Sequence, residues 1–365
     1  MKNSIGTSIT LTLAGESHGP ELCVVLDGLA PGLKVDEASI AGRLASRRPQ
    51  GPTDTARREK DEFRIVSGVF EGRTTGAPLT ILIPNADVRS ADYERFKGIA
   101  RPSHADYTAH VKYAGFEDYR GGGHFSGRVT AGIVAAGAIL LDALASRGIL
   151  IGTHILSCAG VADRPFADEP EKDILSLKDA EFPVLGDCAG AMCEAVAAAR
   201  ADGDSVGGIV QTAISGLPAG VGEPWFGSLE GQIANAVFSI GGVKGVEFGA
   251  GFALAGMRGS EANDPFRIND GRIVTSGNRN GGVNGGISNG MPVVFNTAVK
   301  PTPTISRPQL TVDMLKGTEC EFAFAGRHDP AIVRRICIVL TSITALVTAD
   351  LLALRYGTDW LAEIK

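Results

Sequence analysis

No two of the six cysteines stand at Cys-x-x-Cys spacing: Cys23, Cys158, Cys188, Cys193, Cys320 and Cys337 are scattered along the chain. That removes the usual zinc and redox signatures, and buried, reduced thiols in a cytoplasmic protein without a metal site are expected. There is no surplus of positive charge either. The formal net charge is −6, which argues against a general nucleic-acid binder. The longest uncharged apolar run, residues 336–349, falls short of the roughly 20 residues of a membrane helix. Met1-Lys2-Asn3-Ser4 leads into an alternating stretch, not into an apolar run with a cleavage site, so neither a membrane nor a secretory route is expected. Also missing are Gly-x-Ser-x-Gly, His-Glu-x-x-His, the Walker Gly-x-x-x-x-Gly-Lys and a strand–Gly-x-Gly-x-x-Gly–helix unit. These absences exclude the common nucleophile, zinc-protease, P-loop and Rossmann designs. No solenoid-length repeat and no Pro/Ser linker divides the chain. Although 365 residues suggest two domains at about 150 each, one unit spanning residues 1–365 is expected.

Glycine is what the chain has in excess. It supplies 48 of 365 residues, about twice the ordinary share of about 7%. Glycine permits positive φ and close approach of backbone to ligand, so backbone-lined binding loops are expected. A hydrophobic share of 44% against 21% charged residues is enough for a sizeable core. Residues 43–58 hold Arg43, Arg47, Arg48, Arg57 and Arg58 against the single acid Asp54. A basic segment on an acidic chain points to a small anionic ligand.

The patterning predicts strands over 7–14, 21–26, 63–70, 78–83, 207–214 and 292–299, from alternation between turn signals. Helices are expected at 37–47 with Asp36 as N-cap, from Ser126 to about 146, after Asp187 to before Gly203, and from Ser228 to about 238. A last helix is expected from Asp329 as N-cap, with Pro330 in its first turn, to about Arg355. The stretch 131–144 is apolar all round and so should be buried; the last helix should sit at the centre. Residues 87–123 read as loop-rich. The Gly/Asn-rich stretch 280–290 reads as patterned turn more than linker. The class is α+β: antiparallel sheets enclosing long apolar helices.

Four features carry chemistry. His18, in Gly15-Glu16-Ser17-His18-Gly19-Pro20, and His104, in Arg101-Pro102-Ser103-His104-Ala105-Asp106, each sit among turn residues beside an acid. Two histidines allow two separate proton-transfer roles, though either alone is as readily a solvated surface residue. Arg47, Arg48, Arg101, Arg120, Arg128 and Arg327 offer planar forks for phosphate or carboxylate. Gly121-Gly122-Gly123-His124-Phe125-Ser126 runs toward a helix start, where free N–H groups favour an anion, and Lys300-Pro301-Thr302-Pro303-Thr304 offers a second such cradle. Asp329 is explained by capping alone.

Taken together the segments resemble chorismate synthase. They are Gly15-Glu16-Ser17-His18-Gly19, Arg47-Arg48-Pro49, Arg101-Pro102-Ser103-His104-Ala105-Asp106-Tyr107, Tyr119-Arg120-Gly121-Gly122-Gly123, Val243-Lys244-Gly245-Val246-Glu247, Gly285-Gly286-Ile287-Ser288-Asn289-Gly290, Lys300-Pro301-Thr302 and Gly326-Arg327-His328-Asp329-Pro330. They occur in family order over nearly the whole chain. The resemblance implies a β-α-β sandwich, a homotetramer and the last step of the shikimate pathway. That step is anti-1,4-elimination of phosphate from 5-enolpyruvylshikimate 3-phosphate to chorismate. It implies reduced FMN as cofactor without net redox change, and NADPH as an indirect reductant. It gives His18 the protonation of the departing phosphate, His104 the protonation of the flavin near N1, and Asp329 the removal of the ring proton through flavin N5. It places Ser126, Gly241, Gly242, Gly285, Lys300, Pro301, Thr302, Pro303, Thr304 and Arg327 at flavin positions. Arg47 falls at an NADP or substrate position, and Arg48, Arg101 and Arg128 join it as substrate-side cations.

The chain departs from the family in three places. After the triple glycine it has His124-Phe125-Ser126-Gly127-Arg128 where the family has an arginine-led segment, which leaves the flavin contacts of His124 and Phe125 open. Gly241-Gly242 replaces Asn-Ala, and an arginine usual after Pro49 is missing near Thr53. No second reductase domain is visible, so an external flavin reductase is expected. Two other readings compete: a flavin-dependent NADPH oxidoreductase, and a non-catalytic anion-binding protein.

Overall fold

The computed structural model describes residues 2–49, 61–86, 96–323 and 329–362. Two antiparallel sheets face each other across a double layer of helices. The first sheet contains β1 (Ser4–Ile5), β2 (Thr10–Ala14), β3 (Glu21–Asp27), β4 (Arg64–Ser67) and β5 (Leu79–Pro84), in the order β1-β2-β3-β5-β4. The second contains β6 (Leu150–Cys158), β7 (Val161–Ala162), β8 (Gly208–Ser215), β9 (Val243–Phe248) and β10 (Val293–Val299), in the order β9-β10-β8-β6-β7. Alternation sets which face is buried: Leu22, Val24 and Leu26 of β3 pair in register with Ile83, Ile81 and Leu79 of β5, and all six are buried. Each such side chain contributes about 1.5–3 kcal/mol of burial.

Between the sheets lie α1 (Glu37–Arg47), α3 (Thr130–Ser146), α5 (Leu229–Phe238) and α6 (Val333–Tyr356). Outside this layer are α2 (Asp106–Tyr113) and α4 (Ala189–Ala201). α3 packs on the first sheet and α6 on the second, and the two helices pack on each other. Their contact is close because Gly137 has no side chain: a Cβ there would lie 2.4 Å from Ser342 Cβ. By length and composition, Gly127–Ser146 and Val333–Tyr356 are long and apolar enough to cross a membrane. The run at 336–349 understates the second of these. Both segments are 78% or more buried inside the protein and serve as its core.

Asp36 caps α1, accepting from the amides of Ala38 and Ser39, and Ser228 caps α5, accepting from Gly231. Two expected caps are corrected. The N-cap of α4 is Cys188, with no side-chain cap bond, so Asp187 does not start that helix. α6 begins at Val333 with Ile332 at its N-cap, not at Asp329. The Pro330 carbonyl instead accepts from Val206 N–H at 2.8 Å, which holds the intervening residues against the second sheet. Within 87–123, expected as loop-rich, residues 106–113 form α2, while 87–95 lie outside the described residues. Residues 280–290 form a tight hairpin, Val283–Asn284 against Ile287–Ser288, held to the 218–221 loop by Ser288. A second hairpin, Phe266–Asn269 against Arg272–Thr275, closes on Asp270-Gly271 and was not among the expected strands.

Candidate active site

One cavity of about 1670 Å³ opens among the loops at the ends of these elements. Its wall includes Arg47, Arg48, Arg101, His104, His124, Phe125, Ser126, Arg128, Gly241, Gly242, Lys300 through Thr304, and Asp329. Residues more than 280 apart in sequence therefore share one space. Of the described candidates, His18, Arg120 and Gly285 are not part of this wall. His18 is half-buried against Gly121, which is itself part of the wall. Gly285 belongs to the hairpin described above and is not part of the wall. Arg327 falls outside the described residues, as do Thr53, Asp54, Arg57 and Arg58 of the basic segment.

His18 is held by its neighbours. Ser17 N–H donates to the Gly123 carbonyl at 3.1 Å. Ser17 Oγ lies 3.2 Å from the carbonyls of both Arg120 and Gly121 and 3.0 Å from His18 Nδ1. Carbonyls only accept, so where the hydroxyl proton is directed to one of them, Nδ1 is the donor to Oγ. Nε2 is then the nitrogen that exchanges a proton. Gly121 (φ 58°) makes room for this: a Cβ would lie 2.2 Å from His18 Cε1. Gly122 and Gly123 also have positive φ. The glycine run leads into Ser126, which caps a 3-10 turn at Gly127–Val129 through Arg128 N–H, and that turn continues without a break into α3, so the helix starts where the sequence suggested. His124 Nδ1 donates to the Gly15 carbonyl at 2.9 Å, and Phe125 lies against Tyr113 with centroids 6.2 Å apart.

His104 Nε2 lies 2.6 Å from Thr304 Oγ1, and Lys300 Nζ donates to the Ser103 carbonyl at 2.8 Å, so the two cradle loops are tied together. Asp106 is not the partner of His104: its oxygens take both Nε and Nη2 of Arg101, at 2.8 and 2.7 Å. Burial, with Arg101 and Lys300 nearby, pushes the His104 imidazole down to about 4. It is neutral at pH 7 in the absence of an anion. Burial likewise lowers Lys300, helped by Lys244.

The other end of the cavity is an arginine cluster that the sequence showed only in part. Asp61, its side chain fully buried, takes Arg47 Nη2 at 3.1 Å and Arg128 Nη1, with Arg48 Nε at 3.8 Å. Arg335 donates to Asp329 Oδ2 at 2.7 Å and to the Arg47 carbonyl at 3.0 Å. Arg334 donates to the carbonyls of Ser46, Glu181 and Arg48. The first turn of α6 thus satisfies the carbonyl end of α1, whose dipole favours cations. That carries Arg47 and Arg48 into the cavity wall. Burial lowers Arg47 to about 10, with Arg128 and Arg335 adding to the effect and Asp61 opposing it. Arg47 Nε is buried and has no hydrogen-bond partner among the described residues, which fits a site for a further anion. Asp61, Asn85, Arg334 and Arg335 escaped the sequence reading. The one signal was the pair Arg334-Arg335 at a helix start, where the dipole disfavours cations.

The family described as chorismate synthase matches residues 9–353. A chorismate synthase of Methanocella arvoryzae is 48% identical over 349 residues, 95% of this chain and 93% of that protein. One from Aeropyrum pernix is 44% identical over 373 residues, 100% of this chain and 97% of that protein. A crystal structure of chorismate synthase superimposes with a TM-score of 0.76 at 28% identity, covering 97% of this chain and 94% of that one.

Proposed function

The chain belongs to the chorismate synthase family, and we propose that it catalyses the anti-1,4-elimination of phosphate from 5-enolpyruvylshikimate 3-phosphate with reduced FMN. One observation carries this reading. A single cavity collects His104, Asp329 and an arginine-rich end, with His18 seated against Gly121 of its wall.

Arg47, Arg48, Arg128 and Arg335 hold the phosphate and carboxylates of the substrate, because guanidinium forks match those groups. His18, with hydrogen on Nδ1, presents Nε2 to the departing phosphate oxygen as proton donor. Asp329, aimed by Arg335, is the acceptor for the ring proton. His104 holds a proton beside the second cradle once bound anions outweigh Arg101 and Lys300. The residues suit a flavin: the Tyr113–Phe125 pair and Gly241-Gly242 line the cavity, and Lys300 with Thr302 and Thr304 suits its phosphate. Reduced FMN, when bound, supplies the electron density that C–O cleavage needs. Phe125, His124 and Ser126 are assigned to it, and Arg101 to the substrate side.

The reading includes a homotetramer, supported by Trp225 and Phe226, which are 84% and 96% exposed on the single chain. It also includes a cytoplasmic location and reduced flavin delivered by an external reductase that spends NADPH. The test is an anaerobic assay with reduced FMN and the substrate. Phosphate release without matching NADPH oxidation is expected. Stoichiometric NADPH oxidation would favour the oxidoreductase reading, and no release under any reducing condition would end the proposal. Light scattering tests the tetramer.

A further inference from the structure

One amide clamps the turn that carries His18. Asn85 follows β5, and its Nδ2 donates to the carbonyls of Glu16 at 2.9 Å and Gly19 at 2.8 Å. Its backbone N–H donates to the Pro20 carbonyl at 3.1 Å. Its Oδ1 accepts from Arg128 Nε at 2.9 Å. Both amide hydrogens and the amide oxygen are therefore engaged. Arg128 is pinned in turn. Nη2 donates to the Pro84 carbonyl at 2.9 Å, and Nη1 to the buried carboxylate of Asp61. The same carboxylate takes Arg47. A continuous path runs from the carboxylate, through a guanidinium in the cavity wall, to a carbonyl on each side of His18.

We propose that Asp61, Arg128 and Asn85 form a positioning relay that fixes the His18 turn in register with the arginine end of the cavity. Gly15 (φ 103°) gives the turn a permissive entry, and its other ties include Ser17 to the glycine loop, His124 Nδ1 to the Gly15 carbonyl at 2.9 Å and Gly19 N–H to the Glu16 carbonyl at 3.1 Å. Asparagine suits the position by its chemistry. It offers two coplanar donors to the turn and one acceptor to the arginine. An aspartate would keep the acceptor and set negative oxygens against two carbonyls. The relay makes Asn85 and Asp61 positioning residues for the proton transfer, and it rests on the reading that His18 is the proton donor.

The experiment is a double-mutant cycle with Asn85→Asp and His18→Ala. Asn85→Asp is expected to lower kcat for phosphate release by about 10- to 100-fold, the cost of a misplaced group, with KM little changed. In the His18→Ala background the same substitution should cost nothing further. Histidine-labelled NMR gives a readout independent of turnover. The imidazole signal that disappears in His18→Ala should move in Asn85→Asp and in Asp61→Asn, while that of His110 stays in place. Additive losses in the cycle, or an unmoved His18 signal, overturn the relay. Full activity of His18→Ala would overturn the catalytic assignment, and the NMR arm would still decide the relay. If Asn85→Asp does not give a wild-type melting profile, Asn85→Ser, which keeps the backbone bond to Pro20, is read by the same outcomes.

Discussion

A buried imidazole among cations resists protonation, and His104 is in that position. Its folded value, about 4, lies below the unfolded value of about 6.5. The unfolded chain therefore binds a proton that the native chain does not bind between those two values. Stability supplied by this group is complete above about pH 6.5 and is lost as pH falls toward 4. His104→Gln should remove that component. Urea midpoints measured from pH 7 to 4 should fall more steeply for the wild type than for the variant, and parallel curves would contradict the burial of a neutral imidazole. The same logic applies to ligand binding: an anion in the cavity offsets Arg101 and Lys300 and raises the affinity of His104 for a proton. Asp329 shows how a sequence reading fails at this scale. Asp-Pro before an apolar run is a strong start signal. Here a bond between the Pro330 carbonyl and Val206 holds the chain off the helix axis, and the carboxylate goes to Arg335.

Helices packed at close range depend on their smallest residues. Gly137 of α3 faces Ser342 of α6, and an added Cβ would meet Ser342 Cβ at 2.4 Å and Cα at 2.7 Å. Neither atom lies at the end of a flexible side chain, so Gly137→Ala must separate the helices. The overpacking cost is about 1–3 kcal/mol, against a gain below about 1 kcal/mol in helix propensity. A lower urea midpoint is expected, and an unchanged or raised one would show that the helices adjust freely. α6 is also tied to the start of the chain. Asp350 accepts from the amides of Thr7, Ser8 and Ile9 at 2.9, 2.7 and 2.8 Å. This fixes the entry to β2, the strand that leads to the His18 turn. The extents of α1, α3 and α5 were legible because their caps and apolar faces are local features. The short α2 was not, because its best signal, Asp106 in the first turn, reads equally as a loop acid.

Across the whole molecule the net charge is −6, yet the cavity wall carries nine lysines and arginines against six aspartates and glutamates. Substrate capture should therefore depend on ionic strength. Raising salt from 50 to 500 mM, conditions chosen to span Debye lengths from roughly 14 to 4 Å, should raise KM for the multiply charged substrate. It should change kcat little, because buried pairs such as Asp61 with Arg47 are screened least. A salt-independent KM would mean that the cluster is neutralised by the protein itself.

Period and burial are properties of short stretches, so the sequence by itself determined the strands around residues 10–27 and 79–84, the all-round apolar helices and hence the sandwich. Eight motifs in order were enough to indicate the family. Only the tertiary structure decided the electrostatics: that Asp61 gathers Arg47 and Arg128, that Arg335 rather than a helix end receives Asp329, and that His104 meets Thr304 across 200 positions of sequence. Coulombic and hydrogen-bond energies depend on separation in space and on the local dielectric. Neither quantity can be read from the order of residues along the chain.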